Sequence, residues 1–132
     1  MPRDSEDYTA TDFEYMRHGD RSMTMRLFRP NGDGPFPVVV DLHGGCWTKG
    51  AVEDGYERDA YFAKAGIAGA SLEFRDGADA YPTSLTDINY AIRWLKASAA
   101  RLCLDPNRVG VTGQSSGGHL AMLVAMRPRD PR

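Results

Sequence analysis

Long apolar runs are missing from this sequence. None approaches the roughly 20 residues that a membrane-spanning helix needs, and the opening stretch "MPRDSEDYTATD" is polar and acidic. It matches neither a signal peptide nor a transit peptide. Cysteine is scarce: Cys46 and Cys103 are the two in 132 residues. They form no metal-spaced cluster and call for no oxidising compartment. Charge of one sign is lacking too, since 16 basic residues stand against 18 acidic ones. Such a balance makes no field to attract nucleic acid or an anionic membrane. The arginines of "RPRDPR" alternate with proline and aspartate and read as a solvated loop. Internal repeats and low-complexity tracts are absent. These absences lead to the expectation of a cytoplasmic protein with no nucleic-acid or membrane partner and no cofactor or metal.

What is present is ordinary globular composition, 42% hydrophobic and 26% charged, enough for one domain over residues 1–132. A chain of this size buries roughly two thirds of its unfolded surface. Residues 1–12 are expected to be a flexible or loosely packed lead-in. "DFEYMRHGDRSMTMRLFRP" then predicts two strands around the turn "HGD". Met23, Met25 and Leu27 alternate with Thr24, Arg26 and Phe28, the period of a half-buried strand. "NGDGPFP" (31–37) predicts a surface turn, and "VVVDL" (38–42) a β-branched strand buried on both faces.

Residues 53–66 predict a helix with Tyr56, Ala60 and Ala63 on one stripe and Gly66 as its stop. "IAGASLEF" (67–74) predicts a second buried strand. Leu85, Ile88, Ile92 and Leu95 share one face of a further helix, where Ser84 and Asp87 resemble a capping box and Pro82 stands just outside. "DPNR" (105–108) predicts a turn, "VGVTG" a strand, and "SGGHLAMLVAM" a helix ending before Pro128. Strands alternating with helices require crossovers and favour a parallel sheet with helices on both faces, here with an antiparallel leading pair. The predicted class is α/β.

Gly113-Gln114-Ser115-Ser116-Gly117 fits G-x-S-x-G. A strand turning sharply into a helix leaves its apical residue strained, and the flanking positions must lack a Cβ. In return Ser115 Oγ is exposed at the carboxyl edge of the sheet, and the Ser116 N–H belongs to the first helical turn. Unpaired donors and a positive dipole end meet a developing oxyanion there. Two other readings of the pentapeptide exist, a phosphate cradle and a tight turn with no chemistry. No lysine follows in the P-loop pattern, and G-x-G-x-x-G is also absent.

"LHGGCW" (42–47) favours the nucleophile. It starts where a predicted buried strand ends, on the same edge as Ser115. Amides of Gly44 and Gly45, with that of Ser116, are candidates to surround the oxygen of a tetrahedral intermediate. Each such donor is worth about 3–4 kcal/mol of transition-state stabilisation. These two motifs resemble the esterase/lipase group of α/β-hydrolases, whose loop runs His-Gly-Gly-x-Trp and whose elbow runs Gly-x-Ser-x-Gly-Gly-His-Leu. "EFRDGADAYPTSLTDINYAIRWL" is similar to that group's arginine-bearing strand end and following helix. The likeness covers about residues 21–127, the amino-terminal half of such a domain.

The resemblance implies a serine hydrolase acting on small carboxylic esters. Ser115 would be its nucleophile, and Cys46 and Trp47 would border the substrate. Arylformamidases and peptidases share parts of these signatures. Cys46, Gln114 and Ser116 stand where the group more often has glycine, aspartate or glycine, and alanine. None of the three changes removes a backbone donor, and they bear on pocket shape. Trp47 either walls the acyl pocket or packs beneath the loop. Trp94 is expected in the core or an interface, and Cys103 in the core.

A serine needs a base, and the base an orienting carboxylate. In this fold they follow in the order serine, acid, histidine, and 17 residues follow Ser115 in the 132. His119 is expected to pack or hydrogen-bond, His43 to orient the glycine loop, and His18 to be solvated in its turn. Asp130 follows Ser115 but has no later histidine to orient. Asp87 is expected to cap its helix or lie at the surface, and Asp41 to end a strand beneath the loop. The triad's acid and base are therefore not found. The chain reads as the first part of a hydrolase, completed by a missing carboxyl-terminal half or by homodimerisation, or else as a non-catalytic assembly or binding module.

Overall fold

The computed structural model describes residues 7–45, 51–75 and 82–127. Strands β1 (Tyr8–His18) and β2 (Arg21–Pro30) pair antiparallel around Gly19, as the alternation predicts. The loose lead-in expected over residues 1–12 does not extend past Tyr8, where β1 begins and Ala10 is already buried; residues 1–6 lie outside the described residues. Strand β2 buries Met23, Met25 and Leu27 on one face. On the other, Phe28 is buried against Tyr8 and Tyr56, so that face is covered as well.

Strands β3 (Phe36–Leu42), β4 (Ala68–Leu72) and β5 (Leu104–Gly113) complete a sheet ordered β1-β2-β4-β3-β5. β4 runs antiparallel to β2, while β3 pairs parallel with both β4 and β5. Each parallel pair needs a crossover. Helix α1 (Tyr56–Lys64), entered through a 3-10 turn at Val52–Gly55, joins β3 to β4. Helix α2 (Thr83–Leu102) joins β4 to β5, and α3 (Ser116–Met126) follows β5.

Strand alternation divides the sheet into two differently filled faces. Val38, Val40, Leu42, Ala68, Ala70 and Leu72 form one apolar core with Leu85, Ile88, Ala91 and Leu95 of α2 and Leu120 and Val124 of α3. The intervening residues Asp41, Gly69 and Ser71 point to the opposite face, where α1 lies. A Cβ on Gly69 would come within 2.7 Å of Asp59 Cβ, which measures how closely α1 seats on β4.

Four local expectations change. Ser84 does not cap α2: the residue before the helix is Pro82, and Ser84 is buried. Asp87 is neither a cap nor at the surface but fully buried in an ion pair with Arg75 (2.7 Å). "DPNR" is not a turn ahead of the strand but a bulge within β5, between the Phe36–Leu104 and Val38–Val109 pairings, where Asp105 accepts the Asn107 N–H. Cys103 is half-buried rather than core. It ends α2 in the left-handed conformation (φ 59°), and its carbonyl accepts the Phe36 N–H. Trp94 is half-buried against Phe13.

Candidate active site

The Gly-Gln-Ser-Ser-Gly turn joins β5 to α3, with Ser115 at its apex. Ser115 has φ 56° and ψ −122°, a conformation that costs an L-residue about 1–3 kcal/mol and persists only where its surroundings enforce it. Those surroundings are visible. A Cβ on Gly117 would lie 2.0 Å from the Leu42 carbonyl oxygen, and one on Gly113 would lie 2.2 Å from the Gly117 backbone. Only glycine lets strand, turn and helix approach this closely. Gln114 N–H donates to Leu42 O (3.4 Å), and Gly118 N–H donates to Ser115 O (2.9 Å).

Ser115 is exposed, whereas Ser116 is buried at the start of α3. As the first residue of the helix, Ser116 has no intrahelical acceptor for its N–H.

The glycine loop lies against this turn. An ideal Cβ on Gly44 would meet Ser115 Cβ at 3.3 Å and Gln114 O at 2.7 Å, so both motifs occupy one rim of the sheet. Gly45 follows with φ 131°, a region open to glycine. His43 is buried and stacks on Phe74, with ring centroids 4.4 Å apart. Its Nδ1 is 2.9 Å from Gly44 O; a carbonyl only accepts, so Nδ1–H is the donor. His43 therefore orients the loop, as expected. Cys46 and Trp47 lie outside the described residues, as does Asp130.

The remaining histidines are elsewhere. His18 is not simply solvated, because its Nε2 lies 3.3 Å from Asp87 Oδ1 at the far end of the β1 strand. His119 is exposed on α3. No group of three or more histidine, cysteine, aspartate or glutamate side chains suited to a metal ion occurs among the described residues.

Beneath the glycine loop lies a cluster that the motifs did not reveal. Asp41, buried at the end of β3, accepts both arms of the Arg58 guanidinium (2.6 and 2.9 Å). Arg58 Nη1 also reaches Gln114 Oε1 at 3.5 Å. Asp59, fully buried beside Asp41, accepts from Ser71 Oγ. Burial, and then the neighbouring Asp41, push the Asp59 carboxyl up to about 8. One signal was present in the sequence: Asp59 is three residues after Tyr56 and four before Ala63, on the inward stripe of α1.

The family model BD-FAE matches residues 25–131. The chain belongs to the BD-FAE family.

Curated relatives of this BD-FAE chain include the probable carboxylic ester hydrolase LipM of Mycobacterium tuberculosis (strain ATCC 25618 / H37Rv). It is 30% identical over 125 residues, 92% of this chain and 29% of LipM. Carboxylesterase NlhH of the same strain is 36% identical over 100 residues, 71% of this chain and 30% of NlhH. Among solved structures, a bacterial heroin esterase superposes with a TM-score of 0.85 at 30% identity, covering 95% of this chain and 41% of that one. Esterase LipW from Mycobacterium marinum gives 0.82 at 28% identity, covering 94% and 40%. The fold is that of the α/β-hydrolase esterases, and the BD-FAE chain spans less than half the length of each of these four proteins.

Proposed function

We propose that this chain carries the nucleophile half of a carboxylic ester hydrolase, with Ser115 as nucleophile and the N–H groups of Gly44, Gly45 and Ser116 as oxyanion donors. The observation that carries the reading is the exposed, strained Ser115 with Gly44 packed against it. The relatives named as esterases support the ester class. Ser115 Oγ attacks the ester carbonyl carbon while a base takes its proton, and the carbonyl oxygen gains charge that the three amides stabilise. Collapse expels the alcohol, which takes the proton back, and water then releases the acid from the acyl-serine. The reading takes the base and its carboxylate from outside the span that this chain shares with its relatives. Substrates are small carboxylic esters. Cys46 and Trp47, next in sequence to the glycine loop, are proposed to border them.

A fluorophosphonate probe, applied with the base in place, tests the assignment: an adduct mapped to Ser115 and absent from Ser115→Ala is expected, and an adduct that survives the substitution rules it out. A second reading, assembly without turnover, is favoured by Met122 and Met126, which are 65% and 73% exposed on α3. Hydrolysis of a p-nitrophenyl short-chain ester by the purified chain, lost in Ser115→Ala, would eliminate it.

A further inference from the structure

The Asp41–Asp59 cluster has a geometry that surface charges do not share. Both carboxyls are buried, and both present Oδ2 to one spot: a Cβ on Gly55 would lie 2.9 Å from Asp41 Oδ2 and 3.2 Å from Asp59 Oδ2. The charged group facing them is Arg58, and its fork is already committed to Asp41. Asp59 Oδ1 has no hydrogen-bond partner among the described residues. Were Asp59 ionised, a second buried charge would stand against Asp41 with one oxygen lacking any donor, a costly arrangement. A proton on Asp59 removes that charge and supplies a donor between the two carboxyls.

The position of the pair gives this proton a consequence. Asp41 immediately precedes Leu42, whose carbonyl receives the Gln114 N–H and lies beneath Gly117. Two residues further on is Gly44, against Ser115. Arg58 adds a second tie, from Asp41 to the Gln114 side chain. The end of β3 thus supports both the glycine loop and the serine turn, and Asp41 is its buried anchor.

We propose that Asp59 and Arg58 are positioning residues, and that a proton held between Asp41 and Asp59 fixes the end of β3 and, through it, the relative placement of Gly44 and Ser115. The catalytic meaning of that placement rests on the function proposed above; the coupling itself does not. Loss of the proton at alkaline pH leaves two adjacent buried carboxylates sharing one guanidinium, which loosens the support from below.

The linkage has a definite sign. The folded chain holds the Asp59 proton up to about 8, whereas an unfolded aspartate releases it near about 4. The contribution of Asp59 to stability is therefore complete below the unfolded value. It shrinks as pH rises between the two and is gone above the folded one.

Unfolding by urea, followed from pH 5 to 9 for the wild-type chain and Asp59→Asn, tests it. Asparagine keeps the shape and a donor without titrating. Between pH 5 and 7 the wild-type unfolding constant is expected to climb about tenfold per pH unit relative to the variant, and to level off above 8. Parallel curves overturn the proposal. Carbon-13 titration of the wild-type Asp59 carboxyl gives the answer without a variant: a midpoint above 7 supports it, and one in the ordinary range near about 4 overturns it.

The positioning role is read from the amide resonances of Gly44 and Ser116. Both are expected to shift with the Asp59 midpoint in the wild type and to stay flat in Asp59→Asn. Amides that ignore the titration overturn the coupling. No turnover is involved, so failed probe labelling of Ser115 alongside titrating amides would strike the hydrolase reading alone.

Discussion

Ser115 shows how far single residues govern this site. Its strained backbone survives because Gly113 and Gly117 let β3, β5 and α3 close around it, and the atoms that would obstruct a side chain at Gly117 are backbone. Gly117→Ala is therefore expected to lower stability by about 3 kcal/mol or more, measured as a shift of the urea midpoint. The buried Asp87 presents the opposite problem, a charge in need of a partner. Arg75 supplies two arms and its own N–H, and holds the segment after β4 onto the first turns of α2. Removing the guanidinium in Arg75→Met leaves Asp87 with the backbone N–H of that position and His18 but no guanidinium, and is expected to cost about 3 kcal/mol by denaturant unfolding at pH 7. Asp87 and Ser84 read as capping residues in the sequence because that pattern is local. Their burial depends on what β1 and β4 bring over the helix.

At the scale of elements, helix periodicity was legible, with one drift. Leu85, Ile88 and Leu95 are buried as spaced, but Ala91 takes the core position and Ile92 is half-buried. The 3.6-residue turn rotates a three-four-three pattern off a straight line along a long helix. Helix α3 differs in being apolar on nearly every side. Leu120 and Val124 face the core, while Met122 and Met126 face outward. A helix that is apolar all round is suited to burial on both sides. Met122→Glu combined with Met126→Lys adds a favourable i,i+4 pair. It is expected to reduce self-association in sedimentation velocity and to change stability by no more than about 0.5 kcal/mol. A large drop in melting temperature would show that this face is covered within the chain.

For the whole molecule, β5 stands at one end of the sheet order among the described residues, with Val109 and Val111 only half-buried, and α3, with its exposed Met122 and Met126, packs against it. An unpaired strand edge next to apolar surface is a template for association. The chain is accordingly expected to associate with rising concentration, read as a climbing weight-average mass in sedimentation equilibrium; a constant monomer mass would count against this. The amino-acid sequence by itself determined the order of strands and helices, the Gly-x-Ser-x-Gly elbow and the glycine loop. Each of these follows from steric rules acting within a few neighbouring residues: side-chain period, glycine at tight turns, and crossovers between parallel strands. Only the tertiary structure decided that Gly44 packs on Ser115, that Asp41, Asp59 and Arg58 gather beneath them, and that His18 turns to Asp87. These are meetings between residues far apart in the chain, set by strand order and by which face each helix covers. Whether a carboxyl keeps its proton follows from the desolvation that such coverage imposes.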